Sequence, residues 1–444
     1  MTEGLFKKGM ELFQIANTAY PLSTTSLMEY RVKDQDKIRK LVTTDLRKSD
    51  KLSLYVHVPF CKSRCTFCEY TVTSGPEADM KEEYIQRLEK EIDMYAELAG
   101  DKEIVGFDIG GGTPTELSEE HLSRIMERIN DGFDIGNIPA PSIETTPLNA
   151  ARDIGKLMHI RKLGFPRISM GVQEINSELL KKLQRDGDNT MYRQAMENMR
   201  DAGFDSVNLD LMYGFKGQGV EDFLRTIDYA ISLNPEHITL YEMRYKFTQI
   251  VGDAKFVTKE HLNELYEGAF EVLAQAGYAA NFGKNTFSKI EGDYGTSSYL
   301  TERVINAVPY IGMGAGSQSF GTDYLAYNKG AATKSINGYM NDIDKGALPI
   351  QDIYNLPLDE SIAKAVSVMF YFGSININAF KQRFGVDFLE KFGSELAFLM
   401  ENNYIEIKDD QAILTVHGVR NMNGIIPLFH SERSQKEMMD MKSL

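Results

Sequence analysis

The sequence predicts an α/β protein: a partial (β/α)6 barrel of the TIM-like kind with a small winged-helix-like module at its C-terminal end. Three observations predict it. Six short, apolar, β-rich segments alternate with segments whose apolar residues recur at helical spacing. Polar and glycine residues gather at the C-terminal ends of those strands, where barrels of this kind hold their chemistry. After Leu356-Pro357-Leu358 the pattern changes to helix, short helix, helix and a two-strand ribbon.

Residues 1–50 read as a mixed helical preface. Leu52–Val58 is the first strand, and a cysteine-bearing loop follows it. In Glu82–Gly100, Ile85, Leu88, Ile92 and Tyr95 mark a helix that Gly100 ends. Ile104–Ile109 is the second strand and runs into Gly110-Gly111-Gly112-Thr113-Pro114. Ser118 caps the next helix, with Glu119 and Glu120 in its first turn. Ser142–Thr146 carries Glu144, and Arg167–Gln173 is followed by the helix cap Asn176. Ser206–Tyr213 carries Asp210, and His237–Met243 is the sixth strand. Residues 245–350 are less regular, with a helix at His261–Gly277 and a second glycine run, Gly312–Gln318. The ribbon, Tyr404–Lys408 and Ala412–Val416, turns at Asp409-Asp410. The domains are therefore a preface (1–50), a barrel with its connecting segment (51–350) and a C-terminal module (356–435).

Composition removes some functions. A net charge of −15 argues against a nucleic-acid surface, so the C-terminal module reads as a lid or a docking unit. No long apolar span is present, and Met1–Lys8 lacks the apolar run of a signal peptide. A cytoplasmic location is expected. All three cysteines, Cys61, Cys65 and Cys68, fall in one C-x3-C-x2-C loop. Three thiolates suit three irons of a four-iron cluster and leave the fourth iron open to a bound molecule. A structural zinc site would want a fourth ligand at finger spacing, and a disulfide would leave one thiol over.

The cysteine pattern, with Phe67 before the last cysteine, resembles the signature of the radical S-adenosylmethionine (SAM) enzymes. Tyr55–Cys61, Gly110–Pro114, Ser169–Gln173, Asn208–Gly214 and the C-terminal module resemble the oxygen-independent coproporphyrinogen III oxidase (HemN-type) branch. The resemblance covers roughly residues 50 to 430. It implies a radical SAM barrel, a [4Fe-4S] cluster on Cys61, Cys65 and Cys68, and SAM on the open iron. Two SAM molecules are expected in this branch. The resemblance puts Tyr55 near the cluster and Phe67 near the adenine. It puts Gly111, Gly112 and Thr113 along the methionine part. Glu144 would pair with the SAM amino group, Arg185 with its carboxylate, and Gln173 and Asp210 with the ribose hydroxyls. Tyr55 and Glu144 are the catalytic candidates. Plainer readings stay open: a tight turn for Gly110–Gly112, and an ion-pair set for Glu144, Arg185 and Asp210. For Gly312–Gly316 a bend competes with a second cofactor site.

Within the branch three activities compete. The decarboxylase itself continues its motif as C-x2-C-G-C, whereas Glu69 and Tyr70 follow Cys68 here. The haem-chaperone group carries His-Asn and Tyr-Trp before the glycine run, whereas Thr296–Arg303 has no His and the chain has no Trp. The class C methyltransferases use two SAM molecules to methylate an sp2 carbon, and elimination leaves them as the expected activity. Menaquinone, at ring carbon 8, is the lead substrate, because the interior is Met- and aromatic-rich and only Arg185 is clearly placed to meet a carboxylate. The basic preface residues Arg31, Lys33, Lys37, Arg39 and Lys40 are an alternative source of charge. The expected partners are an aromatic or quinone substrate and an electron donor such as flavodoxin or ferredoxin, with no nucleic acid. Peripheral membrane contact would come through the substrate, and Ile425–Phe429 is either its apolar contact or core.

Overall fold

The computed structural model describes residues 2–13, 20, 26–75 and 77–441. Six parallel strands pair in chain order at its centre: β1 (Lys51–Val58), β2 (Glu103–Gly111), β3 (Ser142–Thr145), β4 (Arg167–Gln173), β5 (Ser206–Tyr213) and β6 (His237–Glu242). This is the partial α/β barrel that the alternation predicts. Strands covered on both faces are apolar along their length. Leu52, Leu54, Val56 and Val58 on β1 are buried, as are Ile168, Met170 and Val172 on β4. Helix Ala78–Ala99 buries Tyr84, Ile85, Leu88, Ile92 and Tyr95, and the N–H of Gly100 closes it on the Ala96 carbonyl. The caps fall where the sequence puts them. Ser118 accepts the His121 N–H, and Asn176 accepts those of Glu178 and Leu179.

The sheet extends beyond these six. Tyr310–Met313 pairs in parallel with β1 at its open edge. Antiparallel strands Gln318–Phe320, Tyr324–Asn328 and Ile350–Asn355 carry the sheet outward to Arg31–Val32. Thr286–Ser288 pairs with β6 at the far side. Part of the region that reads as irregular is thus sheet, in strands too short to show a period.

The preface divides between two bodies. Arg31–Val32 joins the main sheet, and helix Gln35–Leu46 lays Ile38, Val42 and Leu46 into the barrel core. Helix Thr2–Glu11 instead packs on Met422–Ile425. Residues 14–19 and 21–25 lie outside the described residues.

In the C-terminal module, helices Leu358–Met369, Ile377–Phe384 and Gly393–Glu401 surround a small sheet. Its order is Ser374–Asn376, Gln411–Leu414, Ile405–Lys408. The ribbon turns at Asp409 and Asp410, both with positive φ. A second core forms here around Phe370, Phe380, Phe388, Phe392 and Phe429. Ile425, Ile426, Leu428 and Phe429 are at most 2% exposed. The 425–429 stretch is therefore core, and it is not available as a membrane contact. Among the described residues, no helix is long and apolar enough to cross a membrane.

Candidate active site

The site lies where β1 to β5 end. The loop after β1 carries Cys61, Cys65 and Cys68, all free and partly accessible. The loop is braced from two sides. Cys61 Sγ lies 3.4 Å from Thr113 Oγ1, after β2, and Arg185 Nη1 donates to Cys65 Sγ at 3.5 Å. Burial pushes the Cys61 thiol up to about 12 and raises that of Cys68, with the neighbouring cysteines adding to the shift at both. Three clustered thiolates are thus unfavourable until a metal cluster supplies positive charge. Among the described residues no three of His, Cys, Asp or Glu converge on a single-ion position. A cubane, which takes one thiolate per iron, does not require that. His57, four residues before Cys61, is structural. It is 3% exposed, its Nε2 lies 3.0 Å from the Thr71 carbonyl, and burial lowers its pKa to about 4.

The glycines after β2 form a close-walled cradle. A Cβ at Gly110 would lie 2.7 Å from Glu144 Oε1 and 2.9 Å from Tyr55 Oη. One at Gly111, whose φ is +116°, would strike the His57 ring at 2.6 Å, and one at Gly112 the Phe60 carbonyl at 2.8 Å. The Gly111 N–H donates to Glu144 Oε2 at 3.1 Å. Tyr55, Gly110, Gly111 and Glu144 are therefore one group. Glu144 is exposed to the cleft, yet burial, then the Asp210 charge, pushes its carboxyl up to about 7. Tyr70 is likewise 53% exposed while burial raises its phenol. Accessible groups that protein surrounds are the walls of a deep cleft.

Gln173 and Arg185 form a second group above Gly171. A Cβ there would lie 2.7 Å from Gln173 Nε2 and 2.9 Å from Arg185 Nη2. Arg185 donates to the Gly171 carbonyl. The β4–β5 register slips between Gly171 and Gln173, and Gln173 adopts φ +70°, which re-aims its side chain. Gln173 Oε1 and Arg185 Nε are buried without a protein partner. Orphaned groups in a cleft fit a polar ligand such as SAM. Asp210 is more committed: its oxygens accept from Ser169 Oγ and Asn208 Nδ2, each at 2.8 Å. Phe67 stands edge-on to Phe215, with ring centroids 5.7 Å apart.

The second glycine run does not join these groups. Its N–H donors are already used: Gly312 to Ser319 Oγ, Gly314 to Glu91, Ala315 to Tyr84 Oη and Gly316 to the Lys329 carbonyl. It is a packed bend, so a second SAM there would have no free N–H on these residues.

The sequence reading also missed a wall. Tyr299 stacks on Tyr55 at 5.5 Å, and Arg303, one helical turn on, lies 4.5 Å over the Tyr310 ring. Asp108 on β2 anchors this segment, accepting from Ser297 Oγ at 2.5 Å and from the Ser142 N–H at 3.1 Å. The i,i+4 spacing of Tyr299 and Arg303 was the available signal. Arg244 sits at the mouth in an ion pair with Glu69. Two of the preface cations are held in ion pairs: Arg31 pairs with Asp352 at 2.6 Å and Arg39 with Glu97 at 3.2 Å.

The sequence profile of the Radical SAM superfamily matches residues 55–230, which run from the second half of β1 through β5 and include the cysteine loop, the glycine cradle, Glu144, Gln173, Arg185 and Asp210. Over this segment the chain is similar to the radical SAM enzymes, and over most of its length it is similar to HemN-type proteins. It is 27% identical to the oxygen-independent coproporphyrinogen III oxidase of Salmonella typhimurium over 412 residues, 88% of each chain. It is 25% identical to that of a Synechocystis species, covering 95% of this chain and 94% of the relative. It is 26% identical to the heme chaperone HemW of Bacillus subtilis, covering 86% of this chain and 99% of HemW. The structure of HemN from Escherichia coli superposes with a TM-score of 0.75 at 23% identity, over 93% of this chain and 96% of that one, so the fold is shared. The radical SAM family implies a [4Fe-4S] cluster and SAM, and the three thiols, the glycine cradle and the orphaned polar atoms fit both.

Proposed function

We propose that this enzyme takes a hydrogen atom from a carboxylated, tetrapyrrole-like substrate and releases carbon dioxide. The observation that carries the reading is the wall facing the cysteine loop. Tyr55, Tyr299 and Tyr310 pack as one aromatic group of which Tyr55 is partly accessible, and Arg303 sets a cation among them. The names of several relatives, coproporphyrinogen III oxidases matched over most of both chains, support it. When bound, cluster and SAM supply the 5′-deoxyadenosyl radical. Cys61, Cys65 and Cys68 would hold the cluster. Glu144 would face the SAM ammonium, Arg185 its carboxylate, Gln173 and Asp210 the ribose, and Phe67 the adenine. Gly111, Gly112 and Thr113 would line the methionine part. The C-terminal module would close the cleft against water. An electron donor of the flavodoxin or ferredoxin class supplies the electron the reaction takes up at its start. After the hydrogen is taken, the carbon–carboxylate bond breaks, carbon dioxide leaves, a carbon–carbon double bond forms, and the remaining electron passes to a one-electron acceptor. The test is reduced, reconstituted enzyme with SAM and a porphyrinogen that bears carboxylate side chains. Carbon dioxide and 5′-deoxyadenosine forming in step is the expected result, and deoxyadenosine with no carbon dioxide contradicts it.

Methyl transfer stays as a second reading for one observation. Glu69, paired with Arg244, stands where the decarboxylase motif moves on toward its fourth cysteine. In that reading two SAM molecules methylate an aromatic carbon, with menaquinone as one candidate. That reading rests on elimination, and only its choice of menaquinone drew on a mouth poor in cations. Arg303, Arg244 and the buried Lys364 remove that premise.

A further inference from the structure

Lys364 is an anomaly. It sits on helix Leu358–Met369 of the C-terminal module and is 6% exposed. Its ammonium has no hydrogen-bond or ion-pair partner among the described residues. Its electrostatic neighbours are cations, Arg303 and Arg244. The helix packs on the turn Thr301–Ile305 that carries Arg303. Arg303 is only partly satisfied. Its Nη1 donates to Tyr299 Oη at 3.2 Å and its plane covers Tyr310, but its buried Nε has no acceptor. Arg244 is committed to Glu69.

Two neighbouring cations in a protein interior, one of them with no partner, are unfavourable unless an anion joins them. Burial and the two arginines push the Lys364 ammonium down to about 7, the direction expected of a group lacking its counter-ion. A guanidinium with one free edge beside a free ammonium matches a carboxylate. Tyr55, the partly accessible member of the aromatic group that Tyr299 extends, would meet the rest of the molecule that bears it.

We propose that Lys364 and Arg303 together form a receptor for one carboxylate of the substrate, brought into being when the C-terminal module docks on the barrel. The inference rests on the functional reading above, because it takes the substrate to be a carboxylic acid. It assigns the module a role in substrate binding. It also places a specificity determinant outside the segment matched by the superfamily profile, which ends at residue 230.

The test uses the full chain and a simple probe, 3-phenylpropionate, with its neutral amide as control. Wild type should gain thermal stability saturably with the acid and not with the amide. Lys364→Met should weaken the acid roughly ten- to a hundredfold, the loss expected for a charge-assisted hydrogen bond, while Lys364→Arg retains it. A second measurement needs no ligand. A lysine that merely supports the fold would lower the melting temperature when replaced by methionine. An unpartnered ammonium predicts the reverse: Lys364→Met melts higher than wild type at pH 6.5. That gain shrinks toward pH 10, because the folded state has already given up the Lys364 proton there, while Arg303 and Arg244 stay charged. Equal stabilisation of wild type and Lys364→Met by the acid overturns the proposal, as does no stabilisation of wild type or a lower melting temperature for the variant. Carbon dioxide release by the wild type is a separate readout. Its absence, with the acid still bound through Lys364, overturns decarboxylation and leaves the receptor standing.

Discussion

At the scale of residues, the proposed pairing of Glu144 with the SAM ammonium makes Glu144 the group whose protonation SAM binding would change. Burial, then Asp210, push its carboxyl up to about 7, so without a cation beside it Glu144 is partly protonated at neutral pH. Only the carboxylate form pairs with an ammonium. SAM affinity should therefore fall as pH drops from 8 to 6. Glu144→Gln should bind roughly ten- to a hundredfold more weakly and show no such fall. Equilibrium dialysis across that range checks both. The cysteines, Gly110–Gly112, Glu144 and Gln173 were legible because each is a residue type out of place in a strand–helix repeat. Arg303 and Lys364 were not, since a single Arg or Lys on a helical face reads as solvated, and only docking of the module brings the two together.

Among elements, the bend after Tyr310–Met313 shows why a glycine run alone did not reveal its role. Helix Ala78–Ala99 reaches over with Glu91, which accepts from the Gly314 N–H and Tyr339 Oη at 2.6 Å each and from Asn328 Nδ2 at 2.7 Å. One buried carboxyl thus pins the bend to the first helix. Burial pushes it up to about 7 against 4.5 for the free side chain. Its sign follows. Below about pH 4.5 both folded and unfolded chains hold the proton, and the contribution is complete. Between 4.5 and 7 only the unfolded chain releases it, so stability falls as pH rises, by up to about 3 kcal/mol. Glu91→Gln should be destabilised by roughly 1–3 kcal/mol at pH 5, because the amide turns two hydrogens toward donors, whereas the protonated carboxyl has one, which the Tyr339 hydroxyl can accept. The gap to wild type should narrow above pH 7. Urea unfolding at pH 5 and 8 measures it, and a gap that widens would refute the assignment. The six parallel strands were readable from apolar runs. The antiparallel extension was not, since three to six residues carry too little pattern.

For the whole molecule, the two ends of the chain meet. Helix Thr2–Glu11 lies on Met422–Ile425, and a Cβ on Gly9 would collide with the Asn423 carbonyl. Gly9→Ala should loosen that contact by about 1–3 kcal/mol, the usual penalty of overpacking. Limited proteolysis should then release the N-terminal segment faster while the barrel stays resistant; unchanged cleavage would show the contact to be unimportant. No local pattern could announce this pairing, which joins segments over 400 residues apart. A separate contact, of helix Leu358–Met369 with the turn Thr301–Ile305, sets Lys364 near Arg303, and under the proposal it makes a cationic site for a carboxylate where the sequence suggests a quinone site. Incubation with SAM deuterated in its methyl group tests the central claim most directly. Decarboxylation predicts 5′-deoxyadenosine free of deuterium, with carbon dioxide released and a product unlabelled by the methyl group. Deuterium in both deoxyadenosine and product would contradict it and establish methyl transfer.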